Sequence, residues 1–332
     1  MSYREDFFRM LDGKTPVSDV AYYKFMVRPG DPPSGVVGIS ADYANFAQMM
    51  ETGKNAWGIE HSFDFLNTGP MPTPGKFLLT DITKWKDVIK APYRYDYDFK
   101  AAAEADLAAQ TWDKETQLSS MFGLGGDLFL RLVSFMGFEG ALMAMLDQPE
   151  AVAEVLDYFC DYDAWVVDNV LSYYPVDIVG FGDDNATDIN PFFSYKVFTE
   201  LFLPRYKRLF AVAKEHGAII SYHNCGRCED FMDDMVAIGT QIWNCATLKN
   251  DVKAFKERHD NKIIVEVIPR MYPDDTEENI RKLVRETIDE LAPGGAFVWI
   301  GDAAVNMDSA QGQQVHDWVY DEVAKYGKGY YL

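Results

Sequence analysis

From residue 118 to the end, short apolar runs alternate with stretches of helical period, and this alternation constrains the fold more than any other property of the sequence. Runs at 117–122, 176–180, 218–220, 240–244, 263–268 and 297–300 read as buried parallel strands. Between and after them, 127–136, 138–146, 149–173, 195–216, 228–238, 250–258, 276–291 and 310–326 read as helices. Thr276-Glu277-Glu278 supplies an N-cap and an acidic first turn for one of these. Two more strands are expected earlier, at 20–26 and 56–61, which brings the total to eight. The remainder of the N-terminal third reads as a helix over 1–12, a Pro/Gly-rich loop at 28–38, a helix over 42–52, turns at 64–80 and charged helix over 81–118 with a break near Pro92. Eight strands alternating with helices are the signature of a (β/α)8 TIM barrel, here a single domain over 1–332. Residues 1–118 form its less regular extension or lid, and 119–332 its regular β/α units.

In such a barrel the chemistry sits where strands end. The strand at 218–220 runs into Tyr222-His223-Asn224-Cys225-Gly226-Arg227-Cys228. Residues two apart in an extended segment point the same way, so His223 and Cys225 can face one ion. A neutral imidazole with a thiolate suits zinc. The same residues also permit a buried cysteine beside a hydrogen-bonded histidine, and Cys225-x-x-Cys228 permits a redox dithiol, although Cys228 is placed to open the next helix. Other strand ends carry Asp183 and Asp184, Cys245, Arg270 and Asp302. Asp183 and Asp184 are candidates for acid/base chemistry, since paired carboxylates repel and one has its pKa raised; turn capping by one of them is the alternative. Tyr22 and Glu60, on the first two strands, and Arg270 are the expected substrate contacts. Cys245 is one candidate for completing a metal site with His223 and Cys225.

Charge narrows the partners. The chain has 31 basic and 52 acidic residues, a net charge of −21, which argues against nucleic acid and against an anionic membrane surface. No run of apolar residues is long enough for a transmembrane helix. The start, MSYREDFFRMLDG, does not read as a signal peptide, and four unevenly placed cysteines fit thiols or metal ligands. A cytoplasmic enzyme is the expectation.

The order of motifs resembles the uroporphyrinogen decarboxylase superfamily. The matching residues are Trp57-Gly58, Gly137-Phe138-Glu139, Pro149-Glu150, Gly182-Asp183-Asp184, His223-Asn224-Cys225-Gly226 and Ala292-Pro293-Gly294-Gly295. True decarboxylases carry an N-terminal Arg-Gln-Ala-Gly-Arg run that grips the porphyrinogen carboxylates, and Val27-Arg28-Pro29-Gly30 is no substitute for it. The resemblance is therefore to the cobalamin-dependent methyltransferase branch, whose metal motif is His-x-Cys followed far downstream by a third ligand, usually Cys. Here that later position falls at Asp302. The resemblance implies zinc on His223 and Cys225, with Asp302 or Cys245 completing the site. It implies a small methyl donor, with an aryl methyl ether of anaerobic metabolism as the nearest match, and a corrinoid carried by a partner protein. Two alternatives accompany this: a lyase acting on a tetrapyrrole, and transfer from methyl-corrinoid to a thiol or folate. A non-catalytic corrinoid or porphyrin binder is a third.

Overall fold

The computed structural model describes residues 1–24, 34–43, 53–63, 70–244, 247–269, 271, 275–301 and 309–332. Among these, strands occur in chain order as β1 Ala21–Tyr22, β2 Val36–Gly38, β3 Gly53–Lys54, β4 Glu60–Phe63, β5 Pro70–Pro72, β6 Leu118–Phe122, β7 Ile178–Gly182, β8 Ile219–His223, β9 Ile242–Asn244, β10 Ile264–Val267 and β11 Phe297–Trp299. Eight of them pair in parallel in the order β1-β11-β10-β9-β8-β7-β6-β2. The first two strands of that sheet in the chain are its two edges, so the strands run round one axis in sequence order with helices outside them: a (β/α)8 barrel.

One apolar cluster shows the barrel interior directly. It takes one residue from every barrel strand: Ala21, Val36, Leu118, Ile178, Ile219, Ile242, Ile264 and Val298. Phe7 and Met10 complete it from the helix Tyr3–Leu11, and both are fully buried. That helix is held by a capping box between Ser2 and Glu5 and by the Arg4–Asp177 ion pair at 2.7 Å, next to the start of β7. It closes the end of the barrel where the strands begin. Chemistry is left to the other end, where they finish.

The second barrel strand differs from the expectation. It is β2, Val36–Gly38, within the stretch read as loop, and not 56–61. Trp57 and Gly58 lie in the turn between β3 and β4, where the Asn55 side chain accepts the N–H groups of Trp57 and Ile59, each at 3.0 Å. β3, β4 and β5 form a separate antiparallel sheet. The apolar run at 56–61 belongs to that excursion, where Trp57 packs on the Arg131 guanidinium. The long helix at 81–118 is shorter in fact, at Trp85–Val88 and Phe99–Ala108. The helix expected over 42–52 lies almost wholly outside the described residues. Among the described residues no single helix is long and apolar enough to cross a membrane.

Candidate metal centre

Side chains alternate across a strand, so Ile219, Ser221 and His223 of β8 all face inward. Ile219 belongs to the apolar floor, Ser221 lies above it with its hydroxyl buried and unpartnered, and His223 reaches the mouth. On β7 the same face carries Ile178, Gly180 and Gly182. Gly182 is the register partner of His223; a Cβ there would stand 3.2 Å from the Cβ of His223. The chain then delivers Asp184 beside the imidazole, with Asp184 Oδ1 3.5 Å from His223 Nε2.

Cys225 completes the group. Its Sγ lies 3.5 Å from His223 Nε2, and its N–H donates to Asp184 Oδ1 at 2.8 Å. The turn that places it needs Gly226, at φ +88°, because a Cβ there would meet the Thr187 carbonyl oxygen at 2.6 Å. Ligand atoms from Asp184, His223 and Cys225 all lie within 4.8 Å of one another. Zinc bond lengths of about 2.0–2.3 Å imply donor separations of about 3.3–3.7 Å at tetrahedral angles. The two 3.5 Å separations fit that geometry, and the donor set of N, S and O is one zinc accepts.

The charges suit a cation. Burial works against a charged His223, but its hydrogen bonds to Asp184 and Cys225 prevail and push it up to about 10. Burial likewise raises Asp184, yet the bond to His223 holds it below the ordinary carboxylate range. A proton on Nε2 thus occupies the place a metal ion would take.

Behind the triad, His223 Nδ1 meets Asn244 Oδ1 at 2.6 Å, Asn244 Nδ2 donates to Glu266 Oε2 at 2.5 Å, and the Tyr23 hydroxyl donates to Glu266 Oε1 at 3.1 Å. Burial pushes Glu266 up to about 7 against these bonds and the His223 charge. At the rim, Phe122 is 40% exposed and its ring lies across Gly180, where any Cβ would collide with it.

The structure sorts the other expected residues. Asp184 joins His223 and Cys225, a grouping the strand-end reading did not make. Asp183 points elsewhere: fully buried, it accepts the N–H groups of Phe129 at 2.7 Å and Leu130 at 3.0 Å, in the first turn of the helix Leu128–Met136, and the Tyr206 hydroxyl at 2.5 Å. Burial pushes it up to about 8 despite these bonds. Tyr22 faces outward onto Tyr320, ring centroids 6.1 Å apart; its neighbour Tyr23 faces in. Glu60 sits on β4, off the barrel, 3.7 Å from Lys76 Nζ. Cys228 is fully buried at the N-cap of Glu229–Ile238, and burial raises its thiol. Cys245, Arg270 and Asp302 lie outside the described residues. Asn244, Glu266 and Tyr23 were missed. The available signal was polar residues on the inward phase of otherwise apolar strands.

The family model for uroporphyrinogen decarboxylase matches residues 42–299. No curated protein matches the chain by sequence. Among solved structures, a methyltransferase from Methanosarcina mazei superposes with a TM-score of 0.63 at 11% identity, over 98% of this chain and 99% of that one. This is a likeness of fold. A β-methylaspartase from Clostridium tetanomorphum overlaps at a TM-score of only 0.35 and 11% identity, over 69% of this chain and 46% of its own.

Proposed function

The chain belongs to the uroporphyrinogen decarboxylase family, and from that premise we propose that it is a zinc-dependent methyltransferase. In this reading it moves a methyl group from a small methyl ether, an aromatic one by preference, to a corrinoid carried by a separate protein. The observation that carries the reading is the convergence of Asp184, His223 and Cys225 at the open end of the barrel. The absence of an N-terminal arginine run able to grip a polycarboxylate supports it over a porphyrinogen decarboxylase. We place it in the cytoplasm: among the described residues Cys160, Cys225 and Cys228 are thiols and not disulfides, the form a reducing compartment keeps.

Zinc, when bound, supplies Lewis acidity toward an ether oxygen. The protein's part is to hold that centre and shape the space around it. Asn244 accepts from the ring N–H of His223 and so fixes its plane. Asp184 ties down the Cys225 backbone, which keeps the exposed thiol facing the mouth. Phe122 offers an aromatic face there, suited to stacking on an aryl substrate. The overall change is R–O–CH3 plus cob(I)alamin plus a proton giving R–OH plus methylcob(III)alamin. The C–O pair stays on oxygen, and the Co–C pair comes from the reduced corrinoid.

Incubation with a reduced corrinoid protein and a panel of methoxyarenes tests this. Growth of methylcobalamin absorbance with an ether is the expected result. Its loss on adding a thiol or folate, with no ether active, would reverse the direction of transfer. Release of carbon dioxide from a porphyrinogen would replace the reading with a lyase.

A further inference from the structure

Asn244 and Glu266 are 4% and 2% exposed and point into the barrel. They are expensive residues to place there, since a buried amide or carboxylate loses its hydration. Beneath them, on the same face of their strands, stand Ile242 and Ile264, and apolar side chains of that kind would fill the space without that cost. Their positions explain how they are satisfied. His223, Asn244 and Glu266 are successive register partners on β8, β9 and β10, so the three side chains stand side by side across the sheet.

With Glu266 ionised, the order of donors and acceptors along this line has one solution. Oε2 of the Glu266 carboxylate accepts, so the group facing it is the Asn244 NH2. The Asn244 carbonyl oxygen must then face the imidazole. An amide oxygen only accepts, so His223 Nδ1 carries a hydrogen. In the neutral ring the lone pair is therefore on Nε2, the atom 3.5 Å from both Asp184 and Cys225. Turning the Asn244 amide over would set its carbonyl oxygen against the carboxylate, with no hydrogen between the two oxygens. Tyr23, donating to the remaining oxygen of Glu266, anchors the line to β1.

We propose that Glu266, acting through Asn244, is the device that selects Nε2 of His223 as the metal-binding atom and holds it toward Asp184 and Cys225. Both are positioning residues, and neither reaches the ion. The inference rests on reading the triad as a metal site. Outer partners of this kind are worth about 10–100-fold in metal affinity.

The test compares zinc dissociation constants, measured by competition with a chromophoric chelator, and thermal midpoints for the wild type, Asn244→Leu, Glu266→Leu and Glu266→Gln. The cobalt-substituted spectrum of each is recorded. Asn244→Leu and Glu266→Leu should bind zinc about 10–100-fold more weakly, with altered cobalt spectra. Glu266→Gln should stay near the wild type, because its carbonyl still accepts from Asn244 and its amide can donate to the Tyr23 oxygen. A purely structural role would instead change thermal midpoints and leave zinc affinity and the cobalt spectrum alone. If Asn244→Leu fails to fold, the Glu266→Leu and Glu266→Gln pair carries the same contrast, since neither substitution touches His223. A wild type that binds zinc while Asn244→Leu and Glu266→Leu bind it equally well overturns this inference alone. A wild type without zinc affinity overturns the metal site itself, and this inference with it.

Discussion

Asp184 accepts the backbone N–H of Cys225 at 2.8 Å, a bond between the end of β7 and the turn after β8. It places a carboxylate oxygen and a thiol around the same imidazole nitrogen. Asp184→Asn keeps an acceptor for that N–H but removes the negative charge. It should weaken zinc binding by about tenfold or more, since even an outer partner of a ligand is worth that much, with little change in thermal midpoint. Equal affinity in a chelator competition would remove Asp184 from the site.

Asp183, one residue earlier, should behave in the opposite way. Both of its oxygens accept from buried donors, so the NH2 of Asp183→Asn leaves a donor unpaired and should cost about 1–3 kcal/mol of stability while zinc stoichiometry stays at the wild-type value. Its pKa also makes a pH signature. Held at about 8 in the fold and near 3.8 when unfolded, the group binds a proton better in the native state. Its contribution to stability therefore falls as pH rises between those values. Urea unfolding across that range should show a shallower pH slope in Asp183→Asn than in the wild type.

His223 gives the reverse of an ordinary histidine response. Its folded value of about 10 lies above the ordinary 6.5, so in metal-free protein its stabilising contribution is complete below 6.5 and is lost as pH rises through about 10. Zinc must displace that proton. Calorimetry near neutral pH, in buffers of different ionisation enthalpy, should report release of at least about one proton per zinc. Binding with no proton release would contradict the protonated resting state.

The buried pair behind the β6 loop predicts a stability effect with no bearing on metal. Arg131 and Asp163 are 7% and 1% exposed and meet at 2.8 Å. Asp163→Ala strands a buried guanidinium with Asp127 alone and should cost about 3–5 kcal/mol, read from chemical denaturation.

Phe122 offers a test of substrate class. Phe122→Ala should raise KM for an aromatic ether by about tenfold, the value of one aromatic pair, and leave an aliphatic ether nearly unaffected. Equal effects on both would remove the aromatic preference.

Much of this was legible in the sequence. The strands β6 to β11 were readable because each is an apolar run closed by polar residues, with a helix of clear period after it. β2 was not, because three residues beside glycines and prolines carry no period, while Trp57-Gly58-Ile59 looked more strand-like than it is. The phase of β1 was open for the same reason: two adjacent tyrosines give no alternation to follow, and the inward one is Tyr23. His223 and Cys225 were visible as a pair from spacing two. Asp184 as their neighbour was not, since only the β7–β8 register brings it there. Asn244 and Glu266 sat within strands that read as uniformly buried, and their pairing depends on registers between strands 22 residues apart in sequence.

The central claim is that Asp184, His223 and Cys225 hold one metal ion, and elemental analysis of purified protein tests it most directly. The account predicts one zinc per chain in the wild type and none in Cys225→Ala. A wild type that takes up no zinc on reconstitution, or a Cys225→Ala variant that keeps one equivalent, would contradict it.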